Sequence, residues 1–260
     1  MNKWSNSEIE YLKNNYSNTY IEELQKTLNR SYKSIIIKAC RLDLLQNKDM
    51  ISKKVSFSAN DNFFTYPNVL NSYWAGFIGA DGCVSDGRLN IHITSSDRIL
   101  LDRFKQDVGF KGNISIGKAR KNASGFTKES VKLIITNKKI INDLSYNFNI
   151  IPNKSLILEP PTNLSYENSL AYIVGNIDGD GTIRIRKDRN ILCMKFVGTV
   201  KLLNWIKSIL SNIIKINSNV HTYKNISEFV LMGKYAEKIG SVLNKIPVNK
   251  LERKWEKIYG

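Results

Sequence analysis

Two nine-residue segments, Trp74-Ala75-Gly76-Phe77-Ile78-Gly79-Ala80-Asp81-Gly82 and Ile173-Val174-Gly175-Asn176-Ile177-Asp178-Gly179-Asp180-Gly181, each carry an apolar helical pattern into an Asp-Gly ending. Leu70, Tyr73, Trp74, Phe77 and Ile78 recur at steps of three and four, as do Leu170, Ile173, Val174 and Ile177, which is the period of one helix face. Gly82 and Gly181 stand where a helix takes a left-handed cap, a conformation glycine enters without Cβ strain, so Asp81 and Asp180 fall in last turns. Neither choice favours an isolated helix. An interior glycine is about 1 kcal/mol worse than alanine, and a carboxylate among terminal carbonyls is disfavoured by roughly 0.3–1 kcal/mol. Gly76, Gly79 and Ala80 lie at i, i+3 and i+4, as do Gly175, Asp178 and Gly179, so each helix presents a stripe nearly bare of side chains. Two such stripes pack almost backbone to backbone, which brings Asp81 and Asp180 together at one end of a helix pair. Carboxylates about 5 Å apart repel by roughly 3 kcal/mol at an effective dielectric of 20. A divalent cation reverses that penalty, and oxygen-only ligands with open positions suit Mg²⁺.

Both segments resemble the signature of the LAGLIDADG homing endonucleases in the form that carries two motifs on one chain. The resemblance implies that the eighth motif positions, Asp81 and Asp180, are the metal-binding and catalytic aspartates, with the part played by the backbone at Ala80 left open. The sixth position is Asp178 in the second copy but Gly79 in the first. The implied fold is α+β, with two pseudo-symmetric αββαββα repeats forming a saddle-shaped β-sheet surface for DNA. The implied activity is site-specific double-strand cleavage by a monomer, with Mg²⁺, at a long, non-palindromic duplex site, in the service of intron homing. A single Asp-Gly-ended helix is equally a structural helix; two copies favour the paired site. A catalytically silent DNA-binding regulator and an intron RNA maturase are the alternatives.

A formal net charge of +16 and a pI near 9.6 call for a polyanionic partner, and nucleic acid, whose counterions lysine and arginine displace, is the simplest. No apolar stretch approaches the length of a membrane span, and Met1-Asn2-Lys3-Trp4-Ser5 leads into a polar helix start in place of a signal peptide. Cys40, Cys83 and Cys193 are odd in number and widely spaced, as in a chain kept reduced in a cytoplasm or organelle interior rather than secreted. With His92 and His221 as the only histidines, zinc clusters and histidine-based nuclease chemistry are excluded. A start at Met1 and an end at Tyr259-Gly260, with no splice-junction residues, favour a free-standing protein over an intein.

Residues 1–46 read as three capped helices. Ser5 and Glu8 form a capping box with Trp4 ahead of it, and Thr19 and Glu22 repeat the box. A third helix begins at Ser31, with Ile35, Ala39 and Leu42 inward and Lys33, Lys38 and Arg41 outward. The pattern resembles Myb-like or helix-turn-helix modules, which implies a third helix entering a major groove; a small bundle for protein contact is the alternative. Residues 47–67 read as a basic linker whose Lys53 and Lys54 are candidates to meet phosphates, with a simple solvated tether as the alternative.

The first repeat spans 68–160 and the second 161–260. Asp86-Gly87 joins two strands after the first motif, and Lys187-Asp188-Arg189 joins two after the second. Alternation sets Leu89, Ile91 and Ile93 opposite Arg88, Asn90 and His92, and Ile183 and Ile185 opposite Arg184 and Arg186. With Lys195, and with Lys118, Arg120 and Lys224 toward the loops, these form a basic face suited to DNA, since arginine reads guanine and asparagine adenine. Each half closes on a proline turn, Ile151-Pro152-Asn153-Lys154 and Ile246-Pro247-Val248-Asn249-Lys250, at nearly the same distance from its aspartate. In the intein-type branch of the family such a lysine lies beside the active centre, so the resemblance implies catalytic roles for Lys154 and Lys250; capping of the preceding helix is the alternative for either.

Overall fold

The computed structural model describes residues 3–47, 59–122, 125–224 and 226–258, with 120–127 as backbone. The chain divides into two compact units, Met1–Ser56 and Phe57–Gly260, each with its own apolar core. Among the described residues no helix is long and apolar enough to cross a membrane.

The first unit holds helices α1 (Asn6–Asn15), α2 (Ile21–Leu28) and α3 (Tyr32–Arg41) around Leu12, Leu24, Leu28, Ile35 and Ala39. The capping box opens α1: Ser5 Oγ accepts from the Glu8 N–H, and the Glu8 carboxylate accepts from the Ser5 N–H. Arg30 grips the same carboxylate and holds it down to about 2. Thr19 forms no box; α2 starts behind Tyr20 without a side-chain cap. Ser31 caps α3 by accepting from the Ser34 N–H.

The second unit runs α4 (Val69–Asp81), β1 (Gly82–Ser85), β2 (Arg88–Thr94), α5 (Arg98–Asp107), β3 (Ser115–Gly117), a short pair β4 (Arg120–Asn122) and β5 (Gly125–Thr127), β6 (Ser130–Thr136) and α6 (Lys138–Phe148). It continues with α7 (Tyr166–Gly179), β7 (Thr182–Arg186), β8 (Ile191–Gly198), α8 (Val200–Leu210), β9 (Val220–Tyr223), β10 (Ile226–Met232), α9 (Lys234–Leu243) and α10 (Glu252–Trp255). The β4–β5 pair was not foreseen from the strand pattern. Two antiparallel four-stranded sheets result, ordered β1-β2-β6-β3 and β7-β8-β10-β9. Both hairpins after the helices form where the turn residues place them, with Ser85 opposite Arg88 and Arg186 opposite Ile191. Gly87 takes φ +65 in the first turn and Asn190 φ +50 in the second. Helices cover one face of each sheet, burying Leu89, Ile91, Leu133 and Ile135 in the first and Ile183, Met194, Phe196, Phe229 and Leu231 in the second.

Residues 59–67, the described part of the segment read as linker, are built into this unit. Phe64 is fully buried, the Asn60 N–H donates to the Val108 carbonyl, and Asn147 Nδ2 donates to the Phe64 and Thr65 carbonyls. An apolar Phe63-Phe64 pair, passed over among polar neighbours, is what docks it.

Helices α4 and α7 form the centre. From Asn71 to Gly79 and from Ser169 to Asp178 every residue is buried, so over these stretches the helices are enclosed on all sides rather than on one face, with Asn71, Ser72, Ser169, Asn176 and Asp178 enclosed among the apolar residues. They cross at glycine. A Cβ on Gly76 would lie 1.9 Å from the Tyr172 carbonyl oxygen, and one on Gly175 1.9 Å from that of Tyr73; one on Gly179 would meet Ala80 Cβ at 2.4 Å. Gly82 and Gly181 differ from the left-handed caps read from sequence. Gly82 has φ −80 and ψ 148, and Gly181 is absent from the positive-φ glycines. Their role is close approach: a Cβ would come within 2.7 Å of the Ile78 carbonyl oxygen at Gly82 and 2.6 Å of Ile177 Cα at Gly181, because each chain turns directly from helix into strand.

Gly175→Ala is therefore expected to destabilise the protein by at least about 3 kcal/mol, the upper end for overpacking, since a backbone carbonyl cannot move aside. Gly198→Ala, whose Cβ meets the flexible Leu202 side chain at 3.1 Å, should lose less than about 1 kcal/mol. Urea unfolding of the two variants measures the difference.

Candidate active site

The α4–α7 crossing delivers Asp81, the last residue of α4, and Asp180, the residue capping α7, to the same end of the pair. The Asp81 carboxyl carbon lies 3.6 Å from where a Gly179 Cβ would stand. Asp81 is half-buried and Asp180 solvent-exposed at the rim. Burial, then the Asp180 charge, push the Asp81 carboxyl up to about 6, against the pull of Lys254 and Lys154. Crowding by protein likewise raises Asp180, opposed by Lys154 and Lys254. The two carboxylates thus feel one another, and the same two ammonium groups offset both.

Lys154 is buried, its Nζ 3.5 Å from the Ala80 carbonyl oxygen at the end of α4. The Asp180 and Asp81 carboxylates oppose the lowering of its pKa by burial. Lys250 is not brought to this place. Its Nζ donates to the Asn244 and Ile246 carbonyls after α9 and lies 5.8 Å over the Trp255 ring, so the helix-capping role describes it. Lys254, which sequence reading missed, occupies the place instead. Its buried Nζ donates to the carbonyls of Ile177, Asp178, Gly179 and Gly181 at 2.8–2.9 Å. A signal was available: Lys254 follows Asp180 within one residue of the spacing from Asp81 to Lys154, a closer match than Lys250.

The segment carrying Lys254 is clamped from the first half. Arg253 forks onto Asp97 at 2.8 and 2.6 Å, and Arg103 donates to the Lys250 carbonyl at 3.0 Å. From the second half, buried Asp178 accepts from Trp255 Nε1 at 2.6 Å, the Leu251 N–H at 2.9 Å and Tyr73 Oη at 2.8 Å. Burial raises the Asp178 carboxyl in spite of these bonds. The corresponding tyrosine on α7 faces Gly79 instead, and its buried hydroxyl has no protein partner.

The donor set fits an open Mg²⁺-type site. Among the described residues no three histidine, cysteine or acidic side chains gather as a closed metal cage, whereas a hydrated Mg²⁺ needs only one or two carboxylates together with substrate phosphate.

Residues 68–146 match the LAGLIDADG-like domain. The fold is similar to that of the homing endonuclease I-WcaI, solved bound to its DNA recognition sequence, at 13% identity and TM-score 0.55 over 83% of this chain and 96% of that one. Lower scores relate it to the LAGLIDADG homing endonuclease I-LtrWI bound to target DNA (14%, TM-score 0.46, 77% and 89%) and to the N-terminal LAGLIDADG domain of DUF199/WhiA (12%, 0.44, 79% and 90%). No curated protein sequence matches at a significant level. The I-WcaI likeness shows the α+β LAGLIDADG fold.

The basic residues singled out from sequence take varied positions. Arg88 and His92 are exposed on β2 with Asn90 half-buried between them, Arg184 is exposed on β7, and Lys118 and Lys224 are exposed in loops. Arg186 is forked onto Asp188 and Lys195 is paired with Glu228 at 3.2 Å. On α3, Lys33 and Arg41 are exposed and Lys38 half-buried. Arg120 is placed by backbone alone in β4, and Lys53 and Lys54 lie outside the described residues.

Two stability predictions follow from these environments. Because folding raises the Asp81 pKa, the folded state binds the extra proton and stability falls as pH rises from about 4 to about 6. In metal-free buffer Asp81→Asn should thus stabilise the protein by about 1–2 kcal/mol at pH 7.5, with the gain vanishing near pH 4; urea melts at both pH values measure it. Tyr73→Phe should be destabilising by about 1–3 kcal/mol, whereas Tyr172→Phe, which removes an unpartnered hydroxyl, should be neutral or stabilising by up to about 1 kcal/mol. Thermal melts of the pair distinguish the two tyrosines.

Proposed function

We propose that the chain is a metal-dependent, site-specific endonuclease that cuts both strands of duplex DNA, with Asp81 and Asp180 as the metal-holding residues. The observation that carries this reading is the meeting of two carboxylates, flanked by two buried ammonium groups, at the joint end of α4 and α7. Folding alone disfavours that concentration of charge at two helix C-termini.

A divalent cation bound there would supply Lewis-acid polarisation of a phosphate and a water of lowered pKa. The chain's own residues do the rest. Asp81 and Asp180, one from each half, are the residues that would hold the metal. Lys154, held by a single long contact, is free to approach a phosphate and offset charge that builds up on it. Lys254 neutralises the carbonyl end of α7 and keeps Asp180 in position. The open faces of the two sheets carry Arg88, Asn90, His92 and Arg184 toward the duplex, and the +16 net charge supplies phosphate affinity. In this reading the two αββαββα halves are pseudo-symmetric and act as one monomer. The three-helix unit adds a helix-turn-helix contact through Lys33, Lys38 and Arg41, and the linker lysines Lys53 and Lys54 add phosphate contacts. I-WcaI, which shares the fold, was solved on its DNA recognition sequence, in keeping with a DNA partner.

Incubation with a genomic or randomised plasmid library and Mg²⁺ is expected to yield linear products with discrete junctions. Asp81→Asn and Asp180→Asn should each lower the cleavage rate at least about 100-fold, while binding to the selected site in Ca²⁺ stays within about threefold. Full cutting by either variant would remove that residue from the site. Binding with no cutting by the unaltered protein would instead indicate a silent DNA-binding regulator.

A further inference from the structure

The open faces of the two sheets, which the proposed function presents to DNA, differ in chemistry. On the first, Asn90 pairs across to Ile134 and Cys83, His92 to Lys132, and Lys132 on to Ser115. Arg88 and Lys132 have no carboxylate partner among the described residues, and the face is polar and cationic apart from Ile134 and Cys83. On the second, the bidentate fork to Asp188 neutralises Arg186, and Glu228 neutralises Lys195. Among the described residues, Arg184 alone of the arginines and lysines within these four strands has no carboxylate partner. Between these lie Val197, opposite Glu228, Val230, opposite Lys195, and Met232, opposite Cys193. Thr182, Arg184, Cys193, Lys195, Glu228 and Val230 line one shallow recess, which confirms that they share the outward face.

These surfaces suit different base edges. Unpaired arginine and lysine select the guanine O6 and N7 acceptors and asparagine selects adenine, whereas apolar side chains pack on the thymine methyl and a carboxylate accepts from exocyclic amino groups. We infer that the recognition site is chemically lopsided: the half-site under the first sheet carries guanine at the positions met by Arg88 and Lys132, and the half-site under the second is rich in thymine where Val197, Val230 and Met232 face the major groove. This rests on the open sheet faces binding duplex DNA, but not on cleavage.

The test is selection of bound duplexes from a randomised library by the full-length Asp81→Asn protein in Ca²⁺, repeated with Arg88→Ala and with Val230→Ser added. The expected result is one half enriched in guanine and the other in thymine. Arg88→Ala should relax a guanine preference in the first half by about 10-fold and leave the second half unchanged, and Val230→Ser should relax a thymine preference in the second half only. Like composition in the two halves, or an Arg88→Ala variant that selects the same guanines, would overturn the inference while leaving an endonuclease reading intact. A lopsided site bound by a protein that never cuts in Mg²⁺ would sustain the inference and overturn the nuclease. Failure to select any sequence would overturn both the inference and the sheet-face docking on which it rests.

Discussion

The contact on which the rest of the second unit depends is the approach of two helix backbones at Gly76 and Gly175. Each glycine sits over a carbonyl of the other helix, Gly76 over Tyr172 and Gly175 over Tyr73, with no room for a methyl group. Burial of α4 and α7 on all sides follows, because helices this close leave no solvent between them and are covered outside by the two sheets' helices and strands. So does the site, since any spreading of the crossing would carry Asp81 and Asp180 apart. One geometric fact joins the fold's core to its chemistry.

That closeness creates an electrostatic problem. Two helix C-termini, each with partial negative charge on free carbonyls, converge on two carboxylates. The chain's answer is a buried ammonium at each helix end. Lys254 shares its three N–H groups among four carbonyls at the α7 end, and Lys154 reaches the Ala80 carbonyl on α4. Burial lowers the pKa of both lysines, so these cations are themselves held at some cost. Asp81 nonetheless remains raised to about 6, first because it is buried and second because Asp180 lies near it.

Much of this architecture was legible in the residues. The glycine pairs foretold the helix crossing because glycine repeated at i and i+3 or i+4 has few other uses in a helix interior, and strand alternation foretold the sheets' open faces apart from Ile185, which was expected inward with Ile183 but is exposed toward the end of β7. What escaped was whatever depends on tertiary partners. The cap conformation of Gly82 was misread, since glycine tolerates both left-handed geometry and close approach and the sequence does not say which is needed. The Thr19 box failed because a helix can start one residue later behind Tyr20 with its first N–H groups left to solvent. Lys250 and Lys254 lie four residues apart, the first ahead of α10 and the second within it, and only the fold shows that the first faces the carbonyls after α9 and the second those of α7. The packing of Phe64 was hidden because its partners, Phe148 and its neighbours, lie far along the chain.

The halves repeat an order of elements but are not equivalent where the chemistry would occur, and one substitution organises the difference. In the second motif Asp178 is a hub, joining Tyr73, the Leu251 N–H and Trp255 and so fixing the segment that places Lys254. In the first motif Gly79 stands at the same position, Tyr172 is left without a partner, and apolar Leu158 closes the gap at 3.7 Å from a would-be Cβ. Lys154 accordingly lacks a comparable anchor and has one long hydrogen bond where Lys254 has four. With four carbonyls around its three N–H groups, Lys254 is committed to the α7 end, whereas Lys154 has a single long contact on α4. The Gly79-for-Asp exchange therefore reaches beyond helix packing: it separates a half whose lysine segment is anchored through Asp178 from a half whose lysine has no such anchor among the described residues.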